Sequence, residues 1–160
     1  MRYGIAILVA AIMACSGPAR QYETGIRVRP LTKKEAARLL GGAKNHLGEP
    51  YVYGGAARSG WDCSGFTSGM YYKYLSYYIP RKTSSIYAQS VKIPSSKKRA
   101  GDLVFFKIKS KTASHVGIYI GEDRFIHAST SNGIVISNLK DDYYRKSFMG
   151  YRRPLLALAD

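Results

Sequence analysis

The pattern of apolar and polar residues predicts a helix near the start of the folded part of the chain. From residue 32 to residue 47, apolar residues recur at the spacing of a helix that buries one face. Thr32 and Glu35 form a capping-box motif at its start, and Gly48 and Pro50 stop it. His46, near its end, is interpreted as a surface residue.

A second helix is predicted to begin at Cys63. Asp62, a residue type that caps helix N-termini, comes directly before it. Phe66, Met70 and Tyr74 follow at intervals of four residues, so they form one stripe that packs inward. Cys63 lies on the side of this stripe, at the N-terminal end of the helix.

The second half of the chain has the composition of strands. Residues 76–100 look like a loop with one helical turn near Thr83. Four segments rich in Val, Ile, Phe and Tyr are then separated by short polar turns: 102–108, 114–120, 124–129 and 134–139. Helices first and an antiparallel meander afterwards predict an α+β fold, with the sheet packed against the cysteine helix.

Two histidines fall on neighbouring strands of this meander, His115 and His127. A five-residue loop at 119–123 would place His115 opposite His127. A two-residue turn at 122–123 would instead place Ile118 there. Taken alone, each histidine can be interpreted as an ordinary residue at the end of a strand. The sequence therefore does not decide whether His115 and His127 contact each other.

Size and charge limit the possible functions. The chain has 160 residues, of which 46% are hydrophobic, enough for one domain with its own core. Its formal net charge is +15, which favours an anionic partner such as nucleic acid, an acidic membrane surface or a polyanionic polymer.

The N-terminus has the pattern of an export signal. Arg2 is followed by an apolar run that is too short to span a bilayer, and Ala14 precedes Cys15. We expect residues 1–14 to be a lipoprotein signal peptide and Cys15 to carry the lipid, with 15–31 as a tether. The alternative is an ordinary signal peptide, with Cys15 removed or left as a thiol.

Cys63 is the candidate nucleophile. Unpaired N–H groups and the helix dipole at a helix start favour a thiolate, although a lone cysteine is more often a small buried apolar residue. If Cys15 carries lipid, Cys63 is the one thiol left in an exported protein, which points to a reactive group. A Cys15–Cys63 disulfide is the competing interpretation.

Six short motifs together resemble the NlpC-type (NlpC/P60) cell-wall cysteine peptidases, and especially their small lipoprotein members. They occur in the order and approximate spacing of that family, over residues 32–154, which leaves 155–160 as a tail. They are Tyr51-Val52-Tyr53-Gly54-Gly55, Asp62-Cys63-Ser64-Gly65-Phe66, Pro80-Arg81, Gly101-Asp102-Leu103-Val104-Phe105-Phe106, Ser114-His115-Val116-Gly117-Ile118-Tyr119-Ile120-Gly121 and Phe125-Ile126-His127-Ala128-Ser129.

The resemblance implies a papain-like fold and a role for each matching residue. Cys63 matches the nucleophile, His115 the general base, and His127 the polar residue that orients the base. Tyr51 matches a tyrosine near the nucleophile, where it would donate to the oxyanion together with the backbone N–H of Cys63.

Asp62 and Ser64, which flank the nucleophile, match positions that line the substrate groove. The resemblance further implies a murein endopeptidase that acts on stem peptides. The bond cut would be either the one between D-glutamate and the diamino acid or the D,D cross-bridge. No cofactor is expected.

The expected partners are stem peptides and, through the lipid, a membrane. We expect a monomer in the cell envelope, on the periplasmic side or at the cell surface. The export signal argues against nucleic acid.

Three rival interpretations remain. A papain-like scaffold can also catalyse an amidase or acyl-transfer reaction with the same three residues. Zinc bound by Cys63, His115 and His127 is disfavoured, because these residues lack the short ligand spacings of known zinc sites. A non-catalytic nucleic-acid binder would use a basic edge formed by Lys97, Lys98, Lys107, Lys109 and Lys111.

Overall fold

The structure is a computed structural model that describes residues 26–158 of the chain. The predicted signal peptide and Cys15 lie outside the described residues. The helices are α1 (Lys33–Lys44), α2 (Cys63–Leu75), α3 (Thr83–Ala88) and α4 (Asp142–Ser147), with a 3-10 turn at Ser95–Lys97.

The strands form one large sheet and two small ones. In chain order they are β1 (Ile26–Arg27), β2 (Ala56–Ala57), β3 (Gly60–Trp61), β4 (Tyr77–Tyr78), β5 (Ser90–Ile93), β6 (Leu103–Phe106), β7 (His115–Gly121), β8 (Arg124–Ser129), β9 (Gly133–Asn138), β10 (Phe148–Pro154) and β11 (Leu156–Leu158). The large antiparallel sheet has the order β5-β10-β6-β7-β8-β9. The α+β architecture predicted from the sequence is confirmed.

Helix α1 begins as predicted and ends earlier than predicted. The Thr32 hydroxyl accepts a hydrogen bond from the Glu35 N–H, and the Glu35 carboxylate accepts one from the Thr32 N–H, so the capping box is complete. The helix ends at Lys44, and Leu47 is exposed. A turn replaces the last predicted helical turn because its N–H groups bond carbonyls three residues back.

The surface position predicted for His46 is wrong, since its side chain is fully buried. Its Nδ1 lies 2.8 Å from the Glu49 carboxylate, which also accepts a 2.6 Å hydrogen bond from the Trp61 indole N–H. The imidazole meets the Trp61 ring edge to face. The turn after α1 therefore folds His46 under the segment that leads to the cysteine helix.

Helix α2 packs against the large sheet. Its buried residues include Phe66, Met70 and Tyr71, and they share one core with Phe105 and Ile118 of the sheet. Tyr74, the last residue of the predicted stripe, is half-buried against this core. The predicted inward face of the helix is confirmed.

The predicted meander is confirmed as β6-β7-β8-β9, and two strands extend it. Strand β10 was not predicted, and it lies between β6 and β5 in the sheet. Strand β5 was not predicted either, because it falls within the segment 76–100 that was interpreted as a loop. Two short strands lie outside the predicted 32–154 domain: β11 pairs with both β1 and β4.

Both registers predicted for the β7-β8 hairpin are wrong. The turn is the two-residue one, with Glu122 and Asp123 both at positive φ, but the ladder then shifts by one residue beside Ile120. Ile118 consequently pairs with Ile126 rather than with His127. If this register continues by one more pair, His127 lies opposite Gly117, which has no side chain.

The bulge brings the two histidines together on one face of the sheet. A Cβ built on Gly117 would lie 3.1 Å from the His127 Cβ and 2.7 Å from the Phe125 ring. Position 115 lies diagonally across from His127 on the same face, because side chains alternate along a strand. This is the face of Phe125 and Phe106, opposite the core that α2 covers.

A short backbone bridge joins the loop before the cysteine helix to the last strand of the meander. The Gly48 N–H donates to the Ile134 carbonyl and the Ile134 N–H donates to the Glu49 carbonyl, each at 2.9 Å. Gly133, at positive φ, lies against the Glu49 carbonyl where a Cβ would clash.

No helix within residues 26–158 is long and apolar enough to cross a bilayer.

Replacing Gly117 with Ala should destabilise the fold, because its Cβ would overlap the Phe125 ring. We expect the free energy of unfolding to fall by about 1–3 kcal/mol, the usual cost of overpacking. Gly41→Ala is the matched control: its Cβ meets nothing within 4 Å, and it lies in a helix, so it should stabilise by about 0.5–1 kcal/mol. Urea denaturation of both variants measures this, and a stable Gly117→Ala protein would contradict the close contact.

Candidate active site

Cys63 is the first residue of α2, as predicted, and it is nearly buried, with 8% of the residue exposed. Asp62 caps the helix by accepting a 2.6 Å hydrogen bond from the Gly65 N–H. Within the described residues Cys63 is a free thiol. Its Sγ lies 3.7 Å from the Thr83 hydroxyl at the start of α3.

Arg81 fixes the start of the cysteine helix to the loop before it. Its guanidinium donates to both carboxylate oxygens of Asp62 at 2.8 Å, to the Ser64 hydroxyl at 3.0 Å and to the Gly55 carbonyl at 2.9 Å. Burial would raise the pKa of Asp62, but the bonds from Arg81 and Gly65 outweigh it and hold the pKa below its usual range. The carboxylate therefore stays ionised beneath the nucleophile.

The lowered thiol pKa expected from the helix start is not found. Burial raises the pKa of Cys63, because a thiolate loses solvation there. The Thr83 hydroxyl and the backbone N–H groups of Val116 and Ser64 act in the opposite direction and only partly offset burial. In the free protein the sulfur is therefore a neutral thiol.

His115 and His127 contact each other directly. His115 Nε2 lies 2.9 Å from His127 Nδ1, with the two rings nearly perpendicular. This bond leaves His115 Nδ1 as the nitrogen available to the sulfur and to a substrate. The pairing of the two histidines, which the sequence left open, is thus established.

Burial keeps both imidazoles neutral. It lowers the pKa of His115 to about 4. The pKa of His127 is also well below its usual value, first because of burial and then because a charge on His115 would repel a second one. A neutral His115 can accept a proton, as a general base must.

Two cavities meet at the sulfur. The larger, about 530 Å³, is lined by Asp62, Ser64, Arg81, Lys82 and Thr83, among others. The smaller, about 170 Å³, is lined by both histidines together with hydroxyl-bearing and aromatic side chains: Ser114, Ser129, Thr130, Tyr143 and Tyr144. Cys63 and Tyr51 line both cavities, so the nucleophile lies between two compartments of a groove.

The structure brings together the site residues that the sequence predicted. Asp62 and Ser64 line the larger cavity, and Tyr51 borders both. Burial, and then the neighbouring Cys63 and Asp62, raise the pKa of Tyr51, so its hydroxyl stays protonated and able to donate. Cys15 lies outside the described residues, and its lipidation stays a prediction.

Sequence reasoning missed four residues of the site. Arg81 was noted within a motif but given no role, and Thr83 was seen only as the start of a helical turn. The remaining two, Ser137 and Tyr144, bond His127 Nε2 at 3.0 and 3.2 Å. No short motif marks these two, because they reach the site through the β8-β9 register and through α4.

Residues 26–158 contain no group of three His, Cys, Asp or Glu side chains arranged to hold a metal ion.

Comparison with known proteins identifies the family. The sequence model of the NlpC/P60 family matches residues 48–153, about two thirds of the chain. This protein belongs to the NlpC/P60 family. The matched segment contains all of the candidate site residues from Tyr51 to His127, and the resemblance noted from the motifs is confirmed.

Two curated NlpC/P60 relatives are similar over most of the domain. The chain is 37% identical over 119 residues to the murein DD-endopeptidase MepS/murein LD-carboxypeptidase of Escherichia coli, covering 74% of this chain and 63% of that protein. It is 40% identical over 113 residues to the gamma-DL-glutamyl hydrolase of Bacillus subtilis, covering 69% of this chain and 27% of that protein. The chain thus spans less than two thirds of the length of either relative.

A solved NlpC/P60 structure confirms the fold. A protein from Staphylococcus aureus, described as similar to lipoprotein and of the NLP/P60 family, superimposes with a TM-score of 0.73 at 29% identity. The match covers 79% of this chain and 43% of that one. The papain-like α+β prediction is confirmed for this NlpC/P60 domain.

The neutral state of His115 predicts a pH dependence of stability. The folded protein binds fewer protons than the unfolded chain between the folded pKa of about 4 and the ordinary value of 6.5. Stability should therefore fall as pH falls through this window. In His115→Gln, the slope of unfolding free energy against pH should be smaller by about 1 kcal/mol per unit near roughly pH 5.

Denaturant titrations at several pH values between about 4 and 7 measure this slope. Lys111→Gln is the control, since Lys111 is exposed and lines neither cavity at the sulfur. Equal slopes in His115→Gln and the wild-type protein would contradict a neutral His115.

Proposed function

We propose that this protein is a cysteine-type endopeptidase of peptidoglycan, with Cys63 as nucleophile, His115 as general base and His127 as the residue that orients His115. The observation that carries the proposal is the 2.9 Å bond between His115 Nε2 and His127 Nδ1 at a cavity that also contains the Cys63 thiol. A thiol, a base and an orienting group in one groove are the requirements of nucleophilic acyl transfer.

The first half of the reaction forms a thioester. As Cys63 Sγ bonds to the substrate carbonyl carbon, its proton passes to Nδ1 of His115. The oxyanion that results accepts hydrogen bonds from the Cys63 N–H and the Tyr51 hydroxyl. His115 then returns the proton to the leaving amine, and the C–N bond breaks.

The second half uses water. A water molecule gives a proton to His115 and attacks the thioester carbonyl carbon. The C–S bond breaks, the sulfur regains a proton from His115, and the product leaves as a carboxylic acid. Since both groups begin and end neutral, the cycle restores the resting site.

The lining of the two cavities supports an assignment of the two sides of the scissile bond. His115 lines the smaller cavity and protonates the leaving amine, so the amine side of the substrate belongs there. The acyl side then lies in the larger cavity, where Lys82 adds positive charge beside the ion pair of Arg81 and Asp62. This charge suits the free carboxylates of peptidoglycan stem peptides.

The names of the relatives support a peptidoglycan substrate. The Escherichia coli protein is named a murein DD-endopeptidase, and the Bacillus subtilis protein is named for hydrolysis of gamma-DL-glutamyl bonds. The first name matches the D,D cross-bridge of peptidoglycan. The second names a type of bond and not peptidoglycan, and a gamma-glutamyl bond is of the same kind as the D-glutamyl bond of the stem peptide. Lipid attachment at Cys15 would place the domain at a membrane of the cell envelope and raise its concentration near the wall.

Replacing Cys63 with Ala should abolish digestion of purified peptidoglycan, with a loss on the order of 10⁴-fold or more, because no other group forms the thioester. EDTA should have no effect. Gly41→Ala, on the exposed face of α1, is the control and should retain activity. Undiminished digestion by Cys63→Ala would refute the proposal.

Mass spectrometry of the fragments identifies the bond. A D,D-endopeptidase converts cross-linked stems into single stems that stay attached to the glycan, whereas cleavage at D-glutamate shortens each stem. Whole stem peptides freed from the glycan would instead show an amidase.

Tyr51→Phe tests the oxyanion role. Loss of one oxyanion donor typically lowers kcat by about 10²- to 10³-fold. We expect a fall of that size with little change in KM, because the bond forms only in the transition state. Tyr72→Phe, an exposed tyrosine on α2, is the matched control. Wild-type kcat in Tyr51→Phe would exclude its hydroxyl from the oxyanion site.

A further inference from the structure

His127 has a second set of partners on the side away from His115. Its Nε2 lies 3.0 Å from the Ser137 hydroxyl and 3.2 Å from the Tyr144 hydroxyl, and Ser137 donates to Tyr144 at 3.3 Å. We infer that this hydroxyl pair, Ser137 and Tyr144, positions the general base by holding His127 in the one tautomer that keeps His115 competent. The inference rests on the proposed function.

The tautomer matters because His115 must accept a proton on Nδ1. A neutral His115 with a free Nδ1 carries its proton on Nε2, so it donates to His127 Nδ1. His127 must then accept on Nδ1 and carry its own proton on Nε2. That proton needs an acceptor, which the hydroxyl pair supplies.

Burial makes this acceptor necessary. Only 1% of His127 is exposed, so solvent does not reach its ring. Among residues 26–158, its side-chain hydrogen-bond partners are His115, Ser137 and Tyr144. Without the two hydroxyls, a proton on Nε2 would be a buried donor with no acceptor, and such donors are costly. The proton would shift to Nδ1, and His115 would then carry its proton on the nitrogen that faces the sulfur.

The hydroxyl pair also compensates for the absence of a carboxylate. A neutral imidazole stabilises the charge that forms on His115 less than an aspartate does. A chain from His127 Nε2–H to Ser137 and on to Tyr144 strengthens each bond in turn, so Nδ1 of His127 becomes a better acceptor. The protonated form of His115 is therefore stabilised by a chain of hydrogen-bonded neutral groups rather than by a charged carboxylate.

Two independent elements supply the hydroxyls. Ser137 is on β9, and Tyr144 is on α4, where its ring packs against Phe106 and Phe125. The two hydroxyl oxygens lie at nearly equal distances from Nε2, so either can accept the proton when the other is absent. We therefore expect either hydroxyl alone to be sufficient to accept the His127 proton.

Ser137→Ala, Tyr144→Phe and the double variant test this redundancy. Each single variant should lower kcat on peptidoglycan by less than about 10-fold, and the double variant by about 10²-fold or more with KM unchanged. This is short of the roughly 10⁴-fold known for a triad histidine held in the wrong tautomer. Tyr144→Phe keeps the ring and its packing, and thermal melts confirm that each variant is folded.

A conservative variant and a matched control separate positioning from packing. Ser137→Thr combined with Tyr144→Phe restores one hydroxyl and should regain most of the activity of the double variant. Tyr119→Phe removes the hydroxyl of a buried tyrosine on the same sheet, away from both cavities, and should leave kcat unchanged.

Nitrogen-15 NMR of the imidazoles reads the tautomer directly. The proton of His127 should be on Nε2 in the wild-type protein and should move to Nδ1 in the double variant. A double variant with wild-type kcat and an unchanged tautomer would overturn the inference. If the wild-type protein fails to digest peptidoglycan, the proposed function fails, and the NMR comparison still decides the role of the hydroxyl pair.

Discussion

The site depends on one bond between two neutral imidazoles. His115 and His127 meet because the β7 strand gains one residue beside Ile120, which moves His115 onto the face of the sheet that carries His127. Gly117 leaves the space that His127 fills. A backbone irregularity and a missing side chain thus set the geometry that the two histidines require.

The electrostatics of the free site differ from a preformed ion pair. Burial raises the pKa of Cys63 and lowers that of His115, so the proton stays on sulfur until a substrate arrives. A carbonyl at the sulfur excludes further water and places the oxyanion near the donors that stabilise it. In the proposed reaction, proton transfer is then coupled to carbon–sulfur bond formation. In the free protein the neutral thiol resists oxidation, which attacks thiolates.

Local patterns in the sequence predicted helices and strands well. Contacts between residues that are far apart in the sequence were not predicted. The capping box at Thr32, the start of α2 at Cys63 and the meander are short-range features, so residue spacing reveals them. Strand β10 pairs with residues more than forty positions away, and its two arginines hide the strand pattern. His46 looked polar and exposed because its partner Trp61 is distant in sequence.

The backbone bridge between Gly48, Glu49 and Ile134 has a consequence for how this domain tolerates substitutions. It links the segment leading to the sulfur with the strand beside His127, and it uses amide groups that every residue type other than proline carries. Substitutions of core side chains can therefore leave this backbone link between the two segments intact. Substitution is restricted at Gly48 within the bridge and at Gly133 beside it, because both residues lie at positive φ and a Cβ at Gly133 would also clash with the Glu49 carbonyl.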